Sequence, residues 1–379
     1  MKSLLRPENY LKILRFFPKL FFRERSLPLD LVFFITHRCI ANCGHCFNWP
    51  RRMHIKKQDE LTIDEIEKIS RSLDPMIFMF LTGGEPFIRE DLSEIAKIFY
   101  INNKVFKYQM PSNGWFTEKI IPQMEQIAIS CPNAHASVTV SIDGIEHEHD
   151  VIRGVKGLFT KAIQTIRELQ RLAKFYPNIA VNAEITVSAY NQDRLIETFR
   201  YLIEKIGIMN VFMPLTRGNP RDPGSKIVDI RLYKKLYNEI TKKTLARIHA
   251  GYTNFPFASI INYKDILLRK VVLNTIKNNC SIVPCIAGRL YGILYANGDI
   301  EACEMVDRNM GNIRDVQYDF KKIWLSKRAS EVKHEIIKNR CFCTHECALA
   351  ASLLADRRCL LKITLEKLKG DLRRISDFF

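Results

Sequence analysis

The sequence predicts an α/β fold built from repeated strand–helix units. Of its 379 residues, 47% are hydrophobic, which is enough to form a large core. From Asp30 onward, short apolar runs alternate with stretches of helical periodicity, and short polar turns separate them. Alternation of this kind is typical of βα units around a parallel sheet.

The apolar runs and the amphipathic stretches set the order of the elements. Strands are predicted at residues 31–35, 77–81, 105–110, 136–142, 179–187 and 209–215. Helices are predicted at residues 62–73, 92–100, 117–129, 158–175 and 193–206. In parallel barrels the functional residues gather where strands end. The polar motifs of this chain follow strand ends in the same way.

The remaining chain divides at a segment rich in Gly and Pro, residues 217–225. A Lys-rich helical stretch follows, and then an Asn297-Gly298-Asp299 turn predicts a hairpin that carries cysteines. A last cysteine loop leads into a helix at 348–354. The predicted parts are an N-terminal amphipathic helical segment, a region of βα units, a helical linker region and a cysteine-bearing C-terminal domain, at 1–29, 30–216, 217–279 and 280–379.

Three cysteines lie within eight residues directly after the first strand, in Cys39-Ile-Ala-Asn-Cys43-Gly-His-Cys46. A structural zinc site needs four closing ligands, and no fourth cysteine is near. Three thiolates on an iron–sulfur cube leave one iron open to an outside ligand. A zinc loop that borrows a remote ligand, or cysteines that are merely buried, fit this spacing less well.

This cysteine motif, followed by Gly83-Gly84-Glu85-Pro86 after the next strand, resembles the radical S-adenosylmethionine (SAM) enzymes. By motif order the resemblance runs from residue 30 to residue 347. It implies a partial (β/α)6 TIM-like barrel with a small C-terminal α+β iron–sulfur domain. It also implies that Cys39, Cys43 and Cys46 bind a 4Fe-4S cluster whose fourth iron is chelated by SAM.

The same resemblance implies a set of SAM-binding residues along the strand ends. Two glycines allow close approach of the backbone, and a carboxylate suits the ammonium group of SAM. Arg153 could act as a fork for the SAM carboxylate, or it could bridge to an acidic neighbour. The cofactor-binding residues expected from the resemblance are His45, Gly83, Gly84, Glu85, Pro86, Ser112, Asn113, Ser141, Asp143 and Arg153. For His147 and His149, which lie among acidic residues, we expect a solvated charged loop.

A second set of cysteines resembles the SPASM or twitch extension of that family, which houses auxiliary 4Fe-4S clusters. Its members are Cys285, Cys303, Cys341, Cys343 and Cys347. Five cysteines suit one cluster with four ligands and one spare, and the sequence does not identify the spare. Cys280 and Cys359 are possible substitutes, and Cys131 is expected in the core. A structural zinc is the alternative for this second site.

The implied activity is reductive cleavage of SAM to a 5′-deoxyadenosyl radical, which abstracts hydrogen from a substrate C–H bond. A peptide, a protein or a small molecule is the expected substrate, a ferredoxin or flavodoxin is the expected reductant, and no catalytic residue can be named. One alternative, suggested by the formal charge of +17, is a protein that binds or modifies nucleic acid. However, in the Lys-rich stretch 226–278 aromatic residues are not interleaved with the basic ones, which makes nucleic acid the weaker alternative.

The other alternative is an iron–sulfur protein at a membrane surface that acts on lipid-linked substrates. Its basis is residues 8–24, which mix aromatic and basic side chains and could form an interfacial helix or pack against the barrel. Eleven cysteines, most of them in two clusters, favour metal binding in a reducing compartment over disulfides. We therefore expect a cytoplasmic protein, with contact to the inner face of the membrane through residues 1–24 as an option.

Overall fold

The computed structural model describes residues 14, 16, 26–246, 257–306 and 308–376, with side chains up to residue 368. The amphipathic segment expected within residues 1–24 therefore lies almost wholly outside the described residues, and its membrane contact stays a prediction. Among the helices of the described part, none is both long and apolar enough to pass through a bilayer.

Nine strands form one sheet in the order β6-β5-β4-β3-β2-β1-β7-β8-β9. Neighbours from β6 to β7 are parallel, whereas β7–β8 and β8–β9 are antiparallel. The strands are β1 (Asp30–Thr36), β2 (Phe78–Gly83), β3 (Lys107–Ser112), β4 (His135–Ser141), β5 (Ile179–Glu184), β6 (Val211–Phe212), β7 (Tyr291–Leu294), β8 (Asp299–Glu301) and β9 (Asn309–Asn312).

Thirteen α-helices occur among the described residues. They are α1 (Trp49–His54), α2 (Ile63–Arg71), α3 (Leu92–Asn103), α4 (Thr117–Ser130), α5 (His147–Arg153), α6 (Leu158–Phe175), α7 (Leu195–Arg200), α8 (Ile230–Leu245), α9 (Ala258–Asn278), α10 (Phe320–Trp324), α11 (Lys327–Lys338), α12 (Glu346–Ala355) and α13 (Arg357–Ser376). A single π-helical turn, Tyr201–Lys205, extends α7.

The six predicted strands and the five predicted helices of the barrel region are present, although β6 is shorter than expected and the short helices α1 and α5 were not predicted. Local signals explain several of the boundaries. Helix α2 begins after a capping box, in which the Thr62 N–H donates to the Glu65 carboxylate at 2.8 Å and the Glu65 N–H donates to the Thr62 hydroxyl at 3.3 Å. Strand β4 is buried along its whole length, as expected for a central parallel strand covered on both faces.

The C-terminal strands continue the barrel sheet, because β7 pairs in parallel with β1 from Asp30 to Phe33. The predicted hairpin is present, with Ile293 opposite Glu301 across β7 and β8. The cysteine-bearing part therefore shares one sheet with the barrel, a pairing that the sequence pattern did not reveal. The predicted domain limits stay a prediction.

A cavity of about 410 Å³ lies between the inner face of the barrel strands and helices α8, α9 and α12. Tyr233 and Tyr237 of α8, Lys264 and Arg269 of α9, and Ala350 of α12 line this cavity. Helices α8 and α9 lie within the stretch expected to be a helical linker region, and they form one wall of the central cavity. Its volume is within the usual range of small-molecule sites.

Candidate metal and cofactor site

The loop that carries Cys39, Cys43 and Cys46 leaves the carboxyl end of β1, and all three side chains line the cavity. Two arginines fix this loop by donating to its carbonyl groups. Arg52 donates to Ala41 O at 2.9 Å and to Cys39 O at 3.0 Å, and Arg221 donates to Asn42 O at 3.0 Å. The three thiols are thus positioned at the point of the fold where parallel barrels place their active sites.

The spacing of the sulfur atoms distinguishes a cluster from a single ion. Two sulfurs on one zinc lie at most about 4.6 Å apart, because each Zn–S bond is about 2.3 Å. Among the described residues, which include all eleven cysteines, no three cysteine sulfurs lie within 4.8 Å of one another. The thiols are spread more widely than one zinc ion requires, so the donor set fits an iron–sulfur cluster better.

Gly83 and Gly84 bring the end of β2 against the backbone at the end of β1. The Gly84 N–H donates to Thr36 O at 2.9 Å, and the Glu85 N–H donates to Arg38 O at 2.8 Å. A Cβ on Gly83 would overlap Thr36 O, and one on Gly84 would overlap Arg38 O. We expected these glycines to admit a ligand; both line the cavity, but the close contact that requires them is with the start of the cysteine loop.

Glu85 is fully buried and joins the ends of β2 and β3. Its carboxylate accepts from Ser112 Oγ at 2.9 Å, from the Asn113 N–H at 2.7 Å and from the Phe87 N–H at 3.3 Å. Burial raises the pKa of Glu85 to about 7, although these donors oppose the shift. Asn113 extends the link to the cysteine loop, because its Nδ2 lies 3.8 Å from Cys39 Sγ.

Asp143 connects β4, β5, helix α5 and the cysteine loop. Its carboxylate accepts from the Thr186 N–H at 2.8 Å, lies 2.6 Å from Arg153 Nε and lies 3.5 Å from His45 Nε2. Burial would raise the pKa of Asp143, but the charge of Arg153 lowers it overall. Of the two roles considered for Arg153, the structure shows the bridge to an acidic neighbour.

Burial and nearby charges together set the pKa values of the thiols and of His45. Burial raises the pKa of Cys39 to about 12 and also raises that of Cys43, whereas the Arg153 guanidinium lowers the Cys43 pKa. Burial lowers the pKa of His45 to about 4, so this imidazole is neutral at neutral pH. The thiols must therefore lose protons when a cluster binds, and Arg153 provides compensating positive charge beside Cys43.

Helix α5 corrects one expectation. The segment expected to be a solvated charged loop is helical, and His149 on it is fully buried. The imidazole Nδ1 of His149 accepts from the Asp143 N–H at 3.0 Å. Its role in the structure is to hold the end of β4 through a residue six positions earlier in the chain, a contact that the acidic surroundings of His149 in the sequence did not indicate.

The second cysteine set surrounds the hairpin and the start of α12. Cys285, Cys341 and Cys343 line one small depression, and Cys303 follows β8. Two residues that we did not single out join this set. His345 lies 2.9 Å from Glu304 through its Nε2 and 3.9 Å from Cys303 Sγ through its Nδ1. Cys303, Glu304 and His345 place three ligand atoms within 4.8 Å, which keeps the zinc alternative open here.

The sequence analysis did not identify further residues that line the cavity, because they lie far apart along the chain. Glu184 at the end of β5 and Arg217 beyond β6 both face the cavity. The segment 217–225, taken as a boundary, lies against the cysteine loop: the Arg221 N–H donates to Cys46 O at 3.1 Å, and the Asp222 N–H donates to Gly44 O at 2.7 Å. Only the Gly and Pro content of this segment was visible in the sequence.

Ser141, one of the predicted cofactor-binding residues, ends β4. It lines the cavity together with Ser112 and Asn113. Pro86 is buried in a short 3₁₀ turn behind the Glu85 carboxylate. The structure therefore brings the expected cofactor-binding residues to one end of the barrel. Which of them contact SAM stays a prediction.

Comparison with known proteins agrees with this geometry. The model of the radical SAM superfamily matches residues 33–202. Fe-coproporphyrin III synthase of Methanosarcina barkeri is 28% identical over 166 residues, which is 42% of this chain and 37% of that protein. AdoMet-dependent heme synthase of the same organism is 26% identical over 310 residues, 79% of this chain and 82% of that protein.

A solved structure shares the architecture. Native anSMEcpe with bound AdoMet (that is, SAM) and Kp18Cys peptide has a TM-score of 0.56 at 16% identity, covering 93% of this chain and 99% of that one. This likeness confirms the predicted α/β barrel fold.

The fold places three thiols at the strand ends of an α/β barrel. Residues 33–202 match the radical SAM superfamily, whose enzymes use a 4Fe-4S cluster and SAM. The chain spans little more than a third of the first relative and most of the second, so its own reaction is a matter for proposal.

Proposed function

We propose that this protein reductively cleaves SAM and uses the resulting radical to abstract hydrogen from a substrate C–H bond. The observation that supports this most directly is that Cys39, Cys43 and Cys46 line one cavity together with the ends of β2, β3 and β4. When bound, the cluster and SAM supply the electron and the radical. The residues of the chain hold, orient and enclose them.

Side chains of the protein itself connect the strand ends. Glu85 links β2 to β3, Asp143 links β4 to β5, and Arg153 neutralises Asp143 beside Cys43. Such cross-links fix the relative positions of the thiols and of the polar edge where SAM is expected. Radical chemistry depends on placing the target carbon close to the reacting atom, which a rigid edge favours.

We further propose one auxiliary 4Fe-4S cluster in the C-terminal cysteine set. Four or five thiols gather beside the hairpin, and no three of them come within single-ion distance of one another. A zinc ion held by Cys303, Glu304 and His345 is the competing occupant. Iron and zinc analysis of the purified protein separates the two.

A peptide, a protein or a small molecule is proposed as the substrate. One relative that covers most of this chain is a heme synthase by name, another is a GTP 3',8-cyclase, and a solved neighbour was obtained with a peptide. A cavity of about 410 Å³ can hold a small molecule or the side chains of a peptide segment. A ferredoxin or flavodoxin is proposed as the electron donor. Contact with a membrane through residues 1–24 also belongs to these proposals.

The first experiment compares native protein with a Cys39/Cys43/Cys46→Ala triple variant after anaerobic reconstitution. We expect an electron paramagnetic resonance signal that shifts when SAM is added, and 5′-deoxyadenosine when dithionite is added. The triple variant should lose both. A native protein that binds zinc but no iron, or that never cleaves SAM under strong reductant, would contradict the proposal.

A further inference from the structure

Resting on the auxiliary cluster proposed above, we infer that Cys347 is not one of its ligands. The structure assigns the ligand positions to Cys285, Cys303, Cys341 and Cys343. It assigns Cys347 to the wall of the central cavity, where its thiol faces the space for SAM and substrate.

The surroundings of the five thiols separate them into two groups. Cys285, Cys341 and Cys343 line the same small depression. Cys303 lines neither this depression nor the large cavity, but the charges of Cys343 and Cys285 act on its thiol, which places it beside the depression. Cys347 does not line that depression, although it follows Cys343 by only four residues. It lines the large cavity instead.

The start of α12 explains this separation. His345 precedes the helix as its N-cap residue, and Glu346 and Cys347 occupy the first turn. His345 is turned toward Cys303 and Glu304, whereas Glu346 and Cys347 both line the large cavity. The change in direction at the helix start therefore directs Cys343 and Cys347 to different spaces. A cysteine motif read as one unit in the sequence is divided by the fold.

The accessible surface of Cys347 supports the same assignment. Its side chain is only partly buried, and the surface it retains faces the cavity, which it lines. Its principal charged neighbours are Arg217, Glu304, Glu184 and Glu346, and none of these four is a cysteine. Tyr291 lies near both Cys303 and Cys347, between the hairpin and the cavity.

A second side chain indicates that this wall meets a ligand. The half-buried Arg217 also lines the cavity, where its guanidinium lies over the Phe47 ring, and its buried Nε has no hydrogen-bond partner among the described residues. A buried donor without an acceptor is costly, so a bound ligand with an acceptor oxygen would stabilise this wall. Cys347 and Arg217 thus present a thiol and a positive donor toward the space enclosed between the two cysteine sites.

The test uses the full-length Cys39/Cys43/Cys46→Ala variant, in which only the auxiliary site can bind iron. After anaerobic reconstitution we expect about four iron ions per chain and a cluster signal. Addition of Cys347→Ser should leave iron, sulfide and the signal unchanged. Addition of Cys343→Ser, the matched control on the same loop, should remove most of the iron.

A labelling experiment on the same triple variant provides a second measurement, because the iron removed there comes from the auxiliary site alone. Iodoacetamide should modify Cys347 at the same rate before and after removal of iron, and Cys280, which is exposed, serves as the positive control. Cys343 should react only after iron is removed. Peptide mass spectrometry reports each site.

Several results would overturn the inference. Loss of auxiliary iron in the Cys347→Ser variant would make Cys347 a ligand, as would protection of Cys347 that ends when iron is removed. A triple variant without iron would remove the auxiliary cluster altogether, whereas SAM cleavage by the native chain would still stand, so the two failures are distinguishable.

Discussion

Replacement of Gly83 by Ala should displace the cysteine loop as well as destabilise the fold. Gly83 has a φ of +145°, a conformation that only glycine adopts easily, and an added Cβ would overlap Thr36 O and lie 2.9 Å from its carbonyl carbon. Backbone strain of this kind costs about 1–3 kcal/mol, and overpacking adds about 1–3 kcal/mol. We expect the free energy of unfolding to fall by about 3–5 kcal/mol.

Substitutions at two other glycines separate the free-energy cost of backbone strain from that of steric overlap. Gly84→Ala introduces only a steric clash: the added Cβ would lie 2.7 Å from the Arg38 carbonyl carbon, but the φ of Gly84 is one that other residues adopt. Gly157→Ala introduces only the strain, since its φ is +80° and nothing lies within 4 Å of the added Cβ. We expect a loss of about 1–3 kcal/mol for the first and about 1 kcal/mol for the second.

Urea unfolding of the three iron-free variants measures these differences, and iron content after reconstitution measures the position of the loop. For the iron measurement each glycine variant also carries Cys343→Ser, which removes the auxiliary iron so that the remaining iron reports the first site. Gly83→Ala and Gly84→Ala should both lower this iron content, whereas Gly157→Ala should not. If Gly83→Ala is no more destabilising than Gly157→Ala, the contact between β2 and the cysteine loop does not have the importance argued here.

Three further outcomes are expected. Arg153→Met should lower the free energy of unfolding by about 3–5 kcal/mol, because it leaves the buried Asp143 carboxylate unpaired. Arg171→Met removes an exposed ion pair and should lower it by less than about 1 kcal/mol. Equal losses for the two variants in urea unfolding would refute the buried pairing. Hydrogen bonds from Arg314 lower the pKa of Glu65 to about 2, so the ionised carboxylate stabilises the fold above about pH 4.5, and this stability should decline as pH falls toward 2. Arg314→Gln should flatten that part of the stability–pH curve, and an unchanged slope would show that the pair does not couple α2 to the C-terminal part of the sheet.

The sequence alone determined the order of the barrel elements and the position of the first cluster loop. Both depend on local pattern: apolar runs of strand length, amphipathic stretches of helix length and a dense cysteine motif at a strand end. Glycines in Gly83-Gly84-Glu85-Pro86 were also visible, although their packing partner, the backbone from Thr36 to Arg38, was not. Local signals identify which residues are special without showing what they contact.

Only the tertiary structure decided how distant residues are paired. The partners of Asp143 lie on the cysteine loop, on α5 and beyond β5, and no sequence spacing connects them. The parallel pairing of β7 with β1 and the use of α8 and α9 as a cavity wall likewise depend on packing of the whole chain. The clearest case is the last cysteine motif: Cys343 and Cys347 look alike in sequence, but a helix start between them directs one thiol to the hairpin and the other to the cavity, because side-chain direction is set by backbone geometry.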